Sequence, residues 1–309
     1  MFTYIIKRIL LLIPTLIGIT LVTFTLLKCI PGDPVYGLIG ERASPEIIQK
    51  YKSEIGLGGY RDYLKMICRG DLGYSYYTKE PIWQTFIQKF PNTLKLALAA
   101  ILIAVIGGVI LGVVAAVKQN SFWDRAILLG TTCGISLPIF WWGLILIIVF
   151  VYTLKWFPGT GMGGGQLVYL VLPAAALGLR SVAYLARVTR ASMLEVFSQP
   201  YIVSARARGV GKWKLVMKHS FRNALIPVVT MAALDLGSYL NGAVLIETVF
   251  NWDGVGRWAV TAIFKRDYPV ILAVVLWGAL IFVIVNLVVD IMYQYINPRM
   301  IQEPNRSKD

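Results

Sequence analysis

The sequence predicts an all-α, polytopic membrane protein with six transmembrane helices and both termini in the cytoplasm. Three observations predict it. The 309 residues are 57% hydrophobic and only 15% charged, with a mean hydropathy of +0.66; a soluble domain cannot hide that much apolar surface. The apolar residues gather into six runs, each near the roughly 20 residues that a helix needs to cross a bilayer. Lys and Arg concentrate in alternate connections, as they do in cytoplasmic loops.

Residues 1–30 form the first helix. Its apolar run is Ile9–Cys29, and Lys7 and Arg8 ahead of it place the N-terminus in the cytoplasm. The run has no small-residue cleavage site, so it reads as a retained span. Residues 31–92 read as a small external insert. Pro31-Gly-Asp-Pro34 breaks the chain sharply, and Ser44 and Pro45 suit the cap and first position of a short helix. Gly70-Asp-Leu-Gly73 is a turn, and Tyr74, Tyr76 and Tyr77 after it suit the membrane interface.

Residues 93–298 form the core domain. Its spans are Thr93–Val117, Ala126–Tyr152, Gln166–Arg187, Leu225–Ile246 and Pro269–Tyr293. Pro138 should kink the third of the six, since neighbouring helices can satisfy the freed carbonyl. Lys118–Arg125 is a short basic cytoplasmic loop. Lys155–Gly165 is an external turn whose glycines make no phosphate cradle, because no Gly-Lys-Ser/Thr follows them. Residues 188–224 form a long cytoplasmic loop, Glu247–Tyr268 an external one, and 299–309 a polar cytoplasmic tail.

Several chemistries lack their residues. The formal charge of +14 follows from basic cytoplasmic loops rather than from nucleic-acid binding. Cys29, Cys68 and Cys133 are far apart, which implies neither a disulfide framework nor a zinc site, and His219 is the one histidine. Gly209-Val-Gly211-Lys212 ends in Trp213 where a P-loop needs Ser or Thr. Hydrolase and metalloprotease motifs are absent. No catalytic or metal-binding residue is expected.

The most distinctive stretch is Tyr201–Val229. It carries Arg206, Arg208, Lys212, Lys214, Lys218, His219 and Arg222, with no Asp or Glu. Ser204, Ala205, Ala207, Gly209 and Gly211 interrupt it, and Pro227 opens the next apolar run. A basic, small-residue segment between two spans suits a cytoplasmic contact surface.

This stretch resembles the cytoplasmic coupling loop of bacterial ABC importer permeases. Val203, Ser204 and Ala205 fall on a Glu-Ala-Ala-type triplet, and Gly209 stands four residues after it. The Glu of that pattern is absent here, and the segment from Gly209 to Pro227 is longer than in the general pattern. Ala205-Arg-Ala-Arg-Gly209, followed by Arg222-Asn-Ala-Leu-Ile-Pro227, is similar to the dipeptide, oligopeptide and nickel branch. So are Pro31–Pro34, Gly70–Gly73, Thr248–Arg257, Ile263–Pro269, Asn286–Asp290 and Asn297-Pro-Arg299, in order along nearly the whole chain.

The resemblance implies a type I ABC importer permease: a pore-forming, non-catalytic subunit in a bacterial or archaeal inner membrane. Di- or oligopeptides would pass from a binding protein to the cytoplasm by alternating access, with nickel or a metal chelate as the alternative cargo. A gradient-driven carrier is the alternative of another class, but no inverted repeat supports it. The implied partners are a second related permease, two ABC ATPase subunits that hold ATP and Mg, an extracytoplasmic binding protein and membrane lipid. The chain itself would bind no cofactor. Tyr201, Ser204, Ala205, Arg206, Ala207, Arg208 and Gly209 would form the ATPase-coupling helix. Asn251, Trp252, Asp253, Gly254 and Arg257 would offer a docking surface to the binding protein. Asp235, Ser238, Tyr239 and Asn241 are candidates for the substrate path, because ionisable groups at membrane depth face a bundle interior or a cavity.

Overall fold

The computed structural model describes residues 2–29, 59–240 and 243–296. Pro31–Pro34, Ser44, Pro45 and the tail from residue 297 lie outside the described residues. The helices are α1 (Phe2–Cys29), α2 (Tyr60–Cys68), α3 (Ile82–Val117), α4 (Phe122–Ser136), α5 (Ile139–Leu146), α6 (Val168–Phe197), α7 (Pro200–Ala207), α8 (Arg222–Leu240), α9 (Val244–Val249), α10 (Val255–Phe264) and α11 (Tyr268–Ile296). Among the described residues no strand forms; the one pairing outside helices is an isolated bridge between Tyr74 and Pro81.

Helices α3, α6 and α8, and α11 over Tyr268–Val288, are long and apolar enough to cross a membrane. Counted as one span, α4 and the helix Ile139–Thr153, which meet at 105°, give a fifth. With the 28-residue α1, these match the six predicted runs. Pro138 does more than kink the third span. It sits at the N-cap of α5, and Leu137 before it is extended (φ −82°, ψ 137°), the conformation that a following proline imposes. Trp142 Nε1 donates to the Gly134 carbonyl across the break at 3.3 Å. Other boundaries move too. Helix α3 begins at Ile82, α6 runs ten residues past the expected Arg187, and α8 ends at Leu240 ahead of a separate α9.

The chain divides into two compact units. The first takes its described residues from Met1–Leu94 and Leu240–Ile284, the second from Lys95–Tyr239 and Val285–Asp309. In the first, Phe24, Tyr63 and Leu272 form a core beside Tyr60 and Met66. The Tyr60 hydroxyl donates to the Ile17 carbonyl at 2.9 Å, tying α2 to α1. Trp83 and Phe86 stack with Trp277, the Phe86–Trp277 centroids lying 4.6 Å apart, and Phe90 stacks on Phe86. The predicted aromatic turn is fixed by Asp267, which is buried: Ser75 Oγ and the Tyr76 N–H both donate to its carboxylate. Tyr74 and Tyr77 remain exposed.

In the second unit, Ala104, Leu185, Val228 and Ala232 form the core of α3, α6 and α8. Lipid tails are as apolar as leucine, so such helices associate through close packing of small residues. A Cβ on Gly108 would lie 2.6 Å from Leu185 Cβ, and one on Gly178 2.7 Å from the Ala100 carbonyl oxygen. Toward the end of α6, Arg190 grips Asp124 of α4 with two hydrogen bonds of 2.7 and 2.8 Å. Arg187 donates to Thr131 and Thr132. Both arginines thus act within the chain as structural ties.

Candidate functional site

The basic hinge folds as a short helix braced from one side. After α6 ends, Gln199 is extended and Pro200 opens α7 at its first position, where a missing N–H costs nothing. Ile202 (0% exposed) and Ala205 (5%) pack against Leu215, with Val196 and Val210 beside them. At the far end, the Val210 N–H donates to the Ala205 carbonyl at 3.2 Å and the Gly209 N–H to the Arg206 carbonyl at 3.0 Å. This is a Schellman cap, which needs a left-handed residue at its turn, and Gly209 has φ +80°. The Asn223 amide donates to the Tyr201 hydroxyl at 2.8 Å, tying α7 to the start of α8.

The outer face of α7 is open. Tyr201, Ser204, Arg206, Ala207 and Arg208 are exposed, and so is Gly209. Ala205 is not, because it belongs to the inner face. Val203, absent from the expected set, is 56% exposed. The helical period could have found it, since residues 203 and 207 stand four apart and share a face. A groove of about 790 Å³ runs beside the hinge, lined by Ala116, Val117, Phe197, Arg206, Val210 and Leu215.

On α8, Asp235 and Tyr239 share a face, and Tyr239 bonds to Ser181 of α6. Ser238 is exposed on α8. Asn241 lies outside the described residues.

The external turn around residues 251–257 is built on a residue that sequence reading overlooked. Glu247 of α9 is fully buried (0%). Its Oε2 accepts the Arg257 N–H at 2.8 Å, and its Oε1 accepts the Thr93 hydroxyl at 2.8 Å. The Thr93 oxygen in turn accepts the Val255 N–H at 2.9 Å. The carboxyl and the Thr93 hydroxyl together therefore accept from open N–H groups that begin α10. Burial pushes the Glu247 carboxyl above the usual carboxylate range, and the Arg257 and Thr93 donors offset part of that rise. Its signal in the sequence was a carboxylate at the end of an apolar run, seven and nine residues ahead of Gly254 and Gly256.

That arrangement sorts the expected docking residues. Trp252 is buried and donates Nε1 to the Asn92 carbonyl. Gly254 is buried against the Glu247 carboxyl, where any Cβ would collide. Asn251 and Asp253 reach the surface and Arg257 is half-buried. Asp253 pairs with Lys89 at 2.6 Å.

Several helices long and apolar enough to cross a membrane, with a short surface helix between two of them, define an integral membrane protein. The chain belongs to the family described as binding-protein-dependent transport system inner membrane component, whose profile matches residues 108–302; the companion N-terminal domain matches residues 1–97. It is a multi-pass protein of the cytoplasmic membrane. Among its relatives is the di/tripeptide transport system permease protein of Pseudomonas aeruginosa (strain UCBPP-PA14), 41% identical over 97% of this chain and 99% of the relative. The dipeptide permease of Escherichia coli (strain K12) is 38% identical over the same shares. The glutathione permease of E. coli O6:H1 is 40% identical over 96% of this chain and 98% of the relative. The fold is that of ABC importer permeases. The inward-facing MetNI methionine ABC transporter matches with a TM-score of 0.61 at 16% identity, over 71% of this chain and 99% of that one.

Proposed function

We propose that the chain is one of two pore-forming subunits of an ATP-driven importer that carries di- or oligopeptides into the cytoplasm. Nearly full-length similarity at about 40% identity to permeases named for dipeptides and di/tripeptides supports the cargo. In this reading a binding protein delivers the peptide outside, a related permease completes the pore, and two ATPase subunits hydrolyse ATP with Mg. The chain catalyses nothing. The segment 31–92 is the external insert, and the exposed Asn251 and Asp253 belong to the surface that receives the binding protein.

The observation that carries the coupling role is the one-sided bracing of α7. Ile202 and Ala205 anchor it, and Tyr201, Val203, Ser204 and Ala207 face outward for an ATPase groove. Arg206 and Arg208 add attraction for anionic headgroups. No atom lies within 4 Å of a Cβ placed on Gly209, so substitution there acts through the left-handed backbone alone. Gly209→Trp should abolish ATP-dependent uptake, whereas Gly209→Asn, which tolerates that conformation, should keep most of it. Both are read in vesicles at matched membrane levels, with co-purifying partners identified. Normal uptake by Gly209→Trp would move coupling elsewhere. A chain that purifies alone and transports without ATP would overturn the importer reading.

A further inference from the structure

Helix α3 marks where the cytoplasmic edge of the bilayer falls. Its residues 96–117 carry no charge and lie between Lys95 and Lys118. These 22 residues make about 33 Å of helix, close to a hydrocarbon layer of roughly 30 Å. Just beyond them Phe122 and Trp123 are exposed, and Lys118 Nζ lies over the Trp123 ring, 5.2 Å from its centroid. Exposed tryptophan beside a basic residue is the pattern of the headgroup layer. Ala116 and Val117 thus end the hydrocarbon, and Gln119 enters the headgroups.

The groove beside the hinge opens at that level. Its apolar wall includes Val117, Phe197 and Val216, which belong to one packed cluster. Its polar lining is Gln119, Ser198 and Arg206. The volume of about 790 Å³ lies within the roughly 300–1,000 Å³ of small-ligand sites. Arg206 is the one charged side chain of the lining, and no carboxylate accompanies it. Among the described residues the ion pairs are Lys89–Asp253 and Arg190–Asp124, so the Arg206 guanidinium has no acid of its own. Arg206 stands four residues after the buried Ile202, on the same edge of α7. Val203 and Ala207 stand on another edge and are exposed.

We propose that this groove binds an anionic phospholipid of the cytoplasmic leaflet, its phosphate on Arg206 and the top of an acyl chain on Val117 and Phe197. Guanidinium and phosphate pair through parallel, charge-assisted hydrogen bonds. Gln119 and Ser198 offer polar partners to the glycerol region between phosphate and chain. A cavity that is apolar on one side and cationic on the other, at the headgroup level, matches a ligand that is itself apolar and anionic there. Leu215 lines the groove and also braces Ile202 and Ala205, so the lipid sits directly behind α7. The site needs no peptide cargo; it rests on the coupling reading above only in that the ATPase grips the outer face of α7 and leaves the groove to the bilayer.

The test uses the complete transporter, purified with its partners into phosphatidylcholine nanodiscs. These carry a minor share of phosphatidylglycerol bearing a diazirine near the top of one acyl chain. After illumination, labelled peptides are mapped by mass spectrometry and normalised to intact complex. Label should fall on residues 116–119 and 194–198. Arg206→Gln should reduce it about tenfold, the scale of a hydrogen bond to a charged group. Arg208→Gln makes the same charge change two residues away, and should cost no more than the smaller effect of a general surface charge. Gln119→Trp, at an exposed position, fills the mouth without changing charge and should also remove the label. Equal losses in the two arginine variants would mean general attraction of basic residues to the membrane, and would overturn the site. Absence of label from both segments in the assembled complex, with the groove covered by the ATPase, overturns it as well. Specific label on a complex that transports no peptide overturns the cargo reading and leaves the site standing.

Discussion

Helices α7 and α10 are of similar length and both begin just after a break in the chain, yet they are held in opposite ways. The start of α10 is locked by a buried carboxylate, a threonine, two close glycines and the Lys89–Asp253 pair. Helix α7 is braced by two buried side chains, a tyrosine–asparagine bond and a glycine cap. Among the described residues, the Asn223 bond to Tyr201 and the Arg208 bond to the Ser204 carbonyl are the internal side-chain ties on its outer face. The external turn spends its polar groups on its own fold. The hinge leaves its outer face exposed. A region locked by its own hydrogen bonds and, in the proposed reading, a region gripped by an ATPase should therefore fail differently when mutated.

The largest expected effect is at the external turn. Gly254→Ala places a methyl group on the buried Glu247 carboxyl, and neither neighbour can move without leaving N–H groups of α10 unpaired. An unpaired buried polar group costs about 1–3 kcal/mol, and the collision adds to it. Folded protein in the membrane should fall severalfold, together with melting temperature in detergent. Wild-type levels and melting would mean that the turn is looser than its hydrogen bonds imply.

The hinge should show the reverse pattern. Val203→Asp puts a charge on an exposed position of α7 and removes nothing from the chain's own packing. Membrane levels and melting should stay close to wild type, while ATP-dependent uptake drops by roughly tenfold or more, as for loss of an interface anchor. A companion change on the inner face, Ile202→Asp, should instead destabilise, because it buries a charge among Leu215, Val196 and Val210. If the two variants behaved alike, the distinction between the faces of α7 would collapse.

These contrasts also separate what composition reveals from what it hides. The six spans were legible because apolar length survives any packing, and the basic hinge because charge and small residues stand out locally. Helix ends were less legible. Helix α6 continues to Phe197 because Met193 still packs in a buried cluster and Arg190 still pairs with Asp124 beyond the expected membrane edge. Ala205 falls on the buried face and Val203 on the exposed one; a triplet read by analogy carries no phase, whereas the helix turns by 3.6 residues per turn. Glu247 was hidden because its donors lie as far away as Thr93, 154 residues off in sequence. Tyr239 was visible as a polar residue in an apolar run, but its partner Ser181 on α6 was not, since residue types alone say nothing of which helices meet.

The smallest effect, and the sharpest probe of the locked turn, is its response to pH. Burial raises the folded-state affinity of Glu247 for a proton, so the folded chain binds that proton more tightly than the unfolded chain. Stability then falls as pH rises from the ordinary carboxylate range through the raised folded value, and is flat above it. Glu247→Gln cannot titrate. It keeps a carbonyl oxygen for one donor, and its melting temperature should lack that slope across the same window. The comparison is of slopes, so a uniform loss of stability in the variant does not obscure it. Equal slopes in the two proteins would mean that the Arg257 and Thr93 donors cancel the effect of burial, and that Glu247 remains an ordinary carboxylate at the head of α10.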